Sequence, residues 1–369
     1  MALKDRFKNL NSGRVMVIMV GFICVFLLAA AMKLMAPILI PFAVALLLSF
    51  IFDPIVSALE RIRLPRPLGI AIVVILIGVG FYLIGLLLFV SIKRLIGLYP
   101  RYELRFTIIY EQVAQLLDLP YDDKISLLSN LFGQLGFRQK VQSFALGLSN
   151  ESISILGNLA IVLIFMVFLM LERSHFKDKI LAAFEGRVSD KIRKIASTIM
   201  VQIVRYLSVK FLISAITGIL AFVLYTSVGL EFALIWGAIA FALNFIPNIG
   251  SILAGVGATV FALVQFWPNP VPILIVAIGI LLINQILGNF VEPRVVGESL
   301  DLSPFIVLFS LGVWGWLWGF MGLVLAVPLT VVVKIICENI PILEPVSTIM
   351  GSYKALKERK SPDRIKEVE

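Results

Sequence analysis

The sequence predicts an all-α, polytopic membrane protein, and three observations carry that prediction. Hydrophobic residues make up 60% of the 369-residue chain, with a mean hydropathy of +1.02, more apolar surface than a water-soluble exterior can hide. Only 15% of residues are charged, and they collect between long apolar runs instead of alternating along one face. Several of those runs reach the roughly 20 residues that an α-helix needs to cross the hydrocarbon core. The expected architecture has about five full spans before residue 227, then two broken-helix, re-entrant hairpin-like units flanking another span. A small extracytoplasmic helical subdomain completes it.

The first run, Val15 to Met32, follows Lys4, Arg6, Lys8 and Arg14. That basic start imitates a signal peptide, but no small-residue cleavage site with a polar mature region follows, so it reads as a retained span. Pro37 to Leu59 and Leu68 to Ile92 are the next two spans, and Arg61, Arg63 and Arg66 between them mark the cytoplasmic side. The basic N-terminus agrees, because two spans return the chain to its starting side. Lys93 to Glu151 is then extracytoplasmic. Within it Ile125, Leu128, Phe132 and Leu135, then Val141, Phe144 and Leu148, fall at helical spacing and predict an amphipathic subdomain outside the bilayer core.

The fourth span, Ile153 to Leu171, ends where positive charge returns. From Leu181 to Ile199 the apolar residues recur at helical spacing, with Arg187, Lys191, Arg193 and Lys194 on other faces. This predicts a helix lying on the inner leaflet against anionic headgroups. Tyr206 to Thr226 is the fifth span. The net charge of +9 thus sits in loops as the positive-inside rule requires, and nucleic acid is not an expected partner. Cys24 and Cys337 lie in or beside apolar runs, match no metal or redox spacing, and read as packing residues.

After Thr226 the pattern changes. Phe232 to Ile246 is apolar, Pro247-Asn248-Ile249-Gly250 breaks it, and Ser251 to Trp267 is apolar again. Proline removes a backbone donor and glycine permits unusual dihedrals, so the break frees backbone amides and carbonyls from helical pairing. Val271 to Phe290 is a full span carrying Asn284, Gln285 and Asn289, and the chain leaves the core through Val291-Glu292-Pro293-Arg294. A second break-containing unit follows from Pro304 to Ile336, too long for one ordinary crossing, with Gly312, Gly315, Gly319 and Gly322 near its middle and Pro328 in its second arm. Each unit is either a re-entrant hairpin or two short tilted spans. Under both readings it returns the chain to the side it came from, so the C-terminus is cytoplasmic. Two opposed broken elements around one span form the inverted arrangement that builds midplane sites in secondary transporters. The regions are therefore a three-span scaffold at 1–92, the extracytoplasmic segment at 93–151, the fourth span and cytoplasmic helix at 152–205, a transport bundle at 206–336 and a cytoplasmic tail at 337–369.

At these breaks the sequence resembles the autoinducer-2 exporter family of transporters and permeases. The resemblance runs through Asn244-Phe-Ile-Pro-Asn-Ile-Gly250, Asn289-Phe-Val-Glu-Pro-Arg-Val-Val-Gly297, Asp301-Leu-Ser-Pro304 and Gly319-Phe-Met-Gly-Leu-Val-Leu-Ala-Val-Pro328. A lone Pro-x-x-Gly carries almost no information, whereas four such blocks in this order and spacing are specific. The resemblance implies a bacterial inner-membrane protein that assembles as a homo-oligomer, a pentamer, and exports autoinducer-2 or exchanges sodium or lithium for protons. Trp314, Trp316 and Trp318 depart from the common form by crowding the second unit near its tip. Full spans place them in an interfacial belt, and a re-entrant tip buries them near the midplane.

The chemistry of the chain narrows the function. No Gly-rich loop ending in Gly-Lys-Ser or Gly-Lys-Thr occurs, so direct ATP drive through this chain is not expected. His175 has no carboxylate or cysteine at ligand spacing, and no nucleophile-base pair or metal set emerges, so neither an enzyme, a metal site nor a cofactor is expected. Acidic residues in apolar surroundings are the natural proton or cation carriers. Asp53, in Phe52-Asp53-Pro54, is the deepest candidate, while Glu231 and Glu292 read as interfacial. An uncharged solute would instead be held through hydrogen bonds by Asn244, Asn248, Asn284, Gln285 and Asn289, in a path shaped by Pro247, Gly250, Pro293, Gly297, Pro304, Gly319, Gly322 and Pro328. The leading expectation is alternating-access export of a small polar solute. Sodium/proton antiport through Asp53 and a non-transporting membrane scaffold are the alternatives.

Overall fold

The computed structural model describes residues 12–116, 157–172, 179, 186–296 and 301–352. Among them the chain is helical, with no strand and one isolated antiparallel bridge between Leu302 and Gly351. The principal helices are α1 (Ser12–Leu34), α2 (Ala36–Arg61), α3 (Arg66–Leu116), α4 (Gly157–Glu172), α5 (Gly186–Val228), α6 (Ala233–Leu243), α7 (Ile249–Phe266) and α8 (Pro270–Asn284). A π-helical segment, Gln285–Val291, continues α8 into α9 (Glu292–Val296), and α10 (Pro304–Asn339) and α11 (Glu344–Met350) follow. Among the described residues six helices are long and apolar enough to cross a membrane. The chain divides into two compact units, one of residues 1–46 with 302–369 and the other of residues 47–301.

Three expected boundaries fall inside continuous helix. α3 does not stop at Ile92 but runs for 51 residues, roughly 75 Å, so its apolar part continues as a helix through Lys93 and Arg94. Charge changes the solvent a helix prefers without breaking its backbone. α5 likewise joins the amphipathic stretch expected on the inner leaflet and the expected fifth span in one 43-residue helix, and Leu181 and Phe184 of that stretch lie outside the described residues, as do 117–151 of the segment expected to be extracytoplasmic. Where the chain is expected to leave the core, at Val291 to Arg294, it stays helical. The Glu292 N–H donates to the Leu287 carbonyl, five residues back. This wider turn admits Pro293 near the start of α9, where its missing donor is harmless.

In the larger unit the core is made of small side chains. Ala221 and Tyr225 of α5, Ala240 of α6, Ala254 and Ala258 of α7 and Val276 of α8 are all 0–2% exposed, the close contact that holds helices together when lipid supplies no hydrophobic drive. α5 and α6 cross at Gly218 and Gly237, where a Cβ on either would sit within 3.0 Å of the other's carbonyl oxygen. The smaller unit packs α10 and α11 with α1. Trp318 Nε1 donates to the Met32 carbonyl at 3.1 Å, Lys33 Nζ lies 4.5 Å from the centroid of the Trp316 ring, and Ser303 caps α10 through Ile306 N–H.

α10 is two arms, not one rod. Gly319 takes φ 60°, ψ −138°, and Trp314 Nε1 donates to Thr330 Oγ1 at 3.1 Å, although 16 residues of straight helix would hold them roughly 24 Å apart. The arms double back so closely that a Cβ on Gly322 would overlap the Trp314 carbonyl. α6 and α7 double back in the same manner, with Gly250 against the Leu243 carbonyl and Gly257 against the Trp236 ring.

Candidate functional site

The tip of the α6–α7 hairpin is built from the Pro247 to Gly250 break. Ile249 N–H donates to the Pro247 carbonyl at 2.6 Å, closing a three-residue γ-turn around Asn248, whose φ of 59° and ψ of −50° are strained for any residue with a Cβ. Asn248 is exposed and Pro247 half-buried, while Gly250 is buried against the facing arm. Two asparagine amides hold this tip. Asn244 Nδ2 donates to Ser214 Oγ of α5 at 3.0 Å, with both side chains buried. Asn284 Nδ2 donates to the Ser251 carbonyl at 3.3 Å, joining the end of α8 to the first turn of α7.

The structure therefore brings Asn244, Pro247, Asn248, Gly250 and Asn284 together at one hairpin tip. Gln285 and Asn289 hydrogen-bond to each other on an exposed face of the π segment, and Pro293 is exposed on α9. Gly297 lies outside the described residues, as does His175. Pro304 begins α10, Gly319 forms its exposed bend, and Gly322 and Pro328 are buried in its second arm, all within the smaller unit. Asp53 lies 3.4 Å from the Arg66 guanidinium, which also reaches Glu60 at 3.4 Å. It is thus part of an ion-paired corner where α2 turns into α3.

Sequence reasoning missed the strongest electrostatic feature of the larger unit. Lys210 Nζ of α5 lies 2.7 Å from Glu292 Oε1, and the two side chains are only 4% and 20% exposed. Glu292, read as interfacial, is instead the partner of a buried cation. A short, desolvated pair of this kind is costly to break from one side, about 3–5 kcal/mol when either partner is removed. Arg205 adds a bond from the same helix to the Val295 carbonyl at 3.4 Å, so α5 grips α9 at two points. The missed signal was legible: Lys210 falls inside the apolar run Tyr206 to Thr226, and Glu292 is the first ionisable side chain after Glu231.

At the other end of the unit a second polar cluster ties α3 to the loops of the hairpin. Tyr102 donates its hydroxyl to Glu231, Arg101 Nη1 lies 3.2 Å from the same carboxylate, and Gln265 Oε1 accepts from Glu231 N–H at 2.7 Å. Arg105 donates to the Gln265 carbonyl. Burial, then the hydrogen bond to Glu231, pushes the Tyr102 phenol well above its ordinary range. Among the described residues no cluster of His, Cys, Asp and Glu could hold a metal ion.

Comparison with known proteins agrees with this architecture. Residues 16–342 match the sequence model of the AI-2E family transporter. The chain is 33% identical over 356 residues to a protein of Borreliella burgdorferi, covering 96% of each, and 30% identical over 370 residues to one of Haemophilus influenzae, covering 95% of this chain and 99% of that one; both are provisionally named transport proteins. It is 32% identical over 331 residues to the AI-2 transport protein TqsA of Escherichia coli, covering 89% and 93%. With six apolar helices long enough to span a bilayer and a family match over most of its length, the chain belongs to the AI-2E transporter family and is a multi-pass membrane protein.

Proposed function

We propose that this chain is a gradient-driven exporter of a small polar solute, with autoinducer-2 as its cargo, and that it works by alternating access around the α6–α7 hairpin tip. The observation that carries this reading is the strained γ-turn at Asn248 between two helices. Non-helical backbone at membrane depth is tolerated only where it is buried or lines a cavity. α6 has 11 residues, roughly 17 Å of helix against a hydrocarbon core of about 30 Å, which supports a re-entrant course for this hairpin. The bend at Gly319 supports the same reading for α10.

The cargo follows from what the bundle lacks. From Phe232 to Val291 no side chain is ionisable, so a solute there meets amides, freed backbone groups and apolar walls. This favours an uncharged polar molecule. TqsA, 32% identical, is named an AI-2 transport protein, and that name supports autoinducer-2 as the first solute to try. Arg61, Arg63 and Arg66 support cytoplasmic termini in a bacterial inner membrane, and the family resemblance supports a homo-oligomer. The ion pair of Asp53 with Arg66 favours a structural role for Asp53 over that of a cation carrier.

The test is release of autoinducer-2 from preloaded proteoliposomes. Wild-type protein accelerates release, and Gly250→Ala, which cannot keep the tip closed, abolishes the acceleration. Release from wild-type vesicles no faster than from protein-free liposomes would sink autoinducer-2 as the cargo.

A further inference from the structure

Every ionisable side chain has been cleared from the stretch between Glu231 and Glu292, which contains α6, α7, α8 and the π segment. Glu231 is engaged at the far end by Arg101, Tyr102 and Gln265. Glu292 meets a different environment. It stands at the end of the π segment, where the helical ladder is already interrupted, and its carboxylate touches an ammonium that is itself 4% exposed. Among the described residues the other charged or titratable groups around it are few. Arg205 of α5 is bonded to the Val295 carbonyl, Tyr206 of α5 is a buried phenol within electrostatic range of Glu292, and Arg294 on α9 is exposed.

We propose that Lys210 and Glu292 are the proton-coupling pair of this protein: the pair opens when a proton adds to the Glu292 carboxylate, and closes when that proton leaves. The inference rests on the reading of the chain as a transporter. While the pair is closed, both charges are compensated at 2.7 Å and α5 holds α9, which continues the π segment. Any motion of α8 and α9 away from α5 strands a carboxylate and an ammonium in a poorly solvated place. Adding one proton to Glu292 Oε1 removes one of those two charges and leaves a neutral acid, while Lys210 keeps its own proton. The ammonium then needs a neutral acceptor. Ser214 lies one helical turn further along the same face of α5 and already accepts from Asn244 at the hairpin tip. Lys210 and Ser214 thus share one face of α5 between the Glu292 carboxylate and Asn244 at the strained turn, and the opened ammonium can turn to the Ser214 hydroxyl along this path. Proton uptake is linked by this path to release of the hairpin, and an exporter of this design takes up a proton as its solute leaves.

The pair also has a plain structural alternative, a fixed staple between α5 and α9, and the two make different predictions. Removing both charges of a buried pair commonly preserves or improves stability, because no charge is left unpaired. The double variant Lys210→Met/Glu292→Gln therefore assembles normally under either view. Full-length protein in proteoliposomes preloaded with autoinducer-2 is given an imposed inward proton gradient, with trapped pyranine reporting internal pH. Wild type is expected to show release accelerated at least about fivefold over its rate without a gradient, with matching acidification. In Glu292→Gln and in the double variant the ratio of driven to undriven release falls to one. A double variant that keeps the wild-type ratio overturns the proposal.

A second measurement needs no solute. Amide hydrogen exchange across residues 285–296, corrected for intrinsic chemistry, is compared in mildly acidic and mildly alkaline buffer. Acid raises exchange in wild type and leaves the double variant unchanged. Equal pH responses in the two proteins overturn the proposed pair, whereas wild-type vesicles that move no autoinducer-2 count against the cargo alone.

Discussion

The carbonyl oxygen of Leu243 occupies the space that a Cβ on residue 250 would fill, so the two arms of the α6–α7 hairpin meet without a side chain between them. Gly322 and Trp314 repeat the relationship in the second hairpin. Replacing Gly250 by Ala must push the arms apart, at a cost of about 3 kcal/mol. Gly312, with nothing within 4 Å of its added Cβ, tolerates the same change within about 1 kcal/mol. Thermal unfolding of the two variants in detergent checks the difference.

Asn248 holds a conformation that glycine adopts without strain. Asn248→Gly is expected to raise stability by about 1 kcal/mol and Asn248→Ala to lower it. Because Asn248→Gly keeps the turn and deletes only the amide, its solute flux reports on that amide. Flux reduced in a stabilised protein marks the side chain as a solute contact.

The Asn244–Ser214 bond joins two buried groups. Each single alanine variant leaves a polar atom unpaired and costs about 1–3 kcal/mol, while the double variant costs less than the sum. A double-mutant cycle on unfolding free energies reads this coupling directly.

Tyr102 donates to Glu231 only while its phenol is protonated. Its ionisation is raised in the folded protein, so this contribution is fully present below the ordinary phenol range and fades as strong base carries the pH through the folded value. Tyr102→Phe loosens the cluster by about 1 kcal/mol at neutral pH, whereas Arg101→Ala has less effect because Arg101 is 53% exposed. Amide exchange at residues 229–232 measures both.

The spans and the two breaks were legible because their signals are local: apolar length, Pro247 and Gly250, and the glycines around 319. Helix continuity was not. Lys93 and Arg94 look like an end of α3, yet nothing in their backbone preferences stops a helix, and α3 runs on to Leu116. The polar site was half legible. Asn244 and Asn284 stood out as amides in apolar runs, but their partners, Ser214 and the Ser251 carbonyl, depend on how the helices pack. Lys210 stands out as a cation in an apolar run, but its partner does not, because the pairing with Glu292 spans 82 positions.

The absence of ionisable groups from Phe232 to Val291 has an electrical meaning. A unit charge carried across a membrane does work of about 2.3 kcal/mol for every 100 mV. A hairpin without charge carries none, so its displacement is silent to voltage. On the proposed coupling, a proton carried by Glu292 is a charge on which the membrane potential acts.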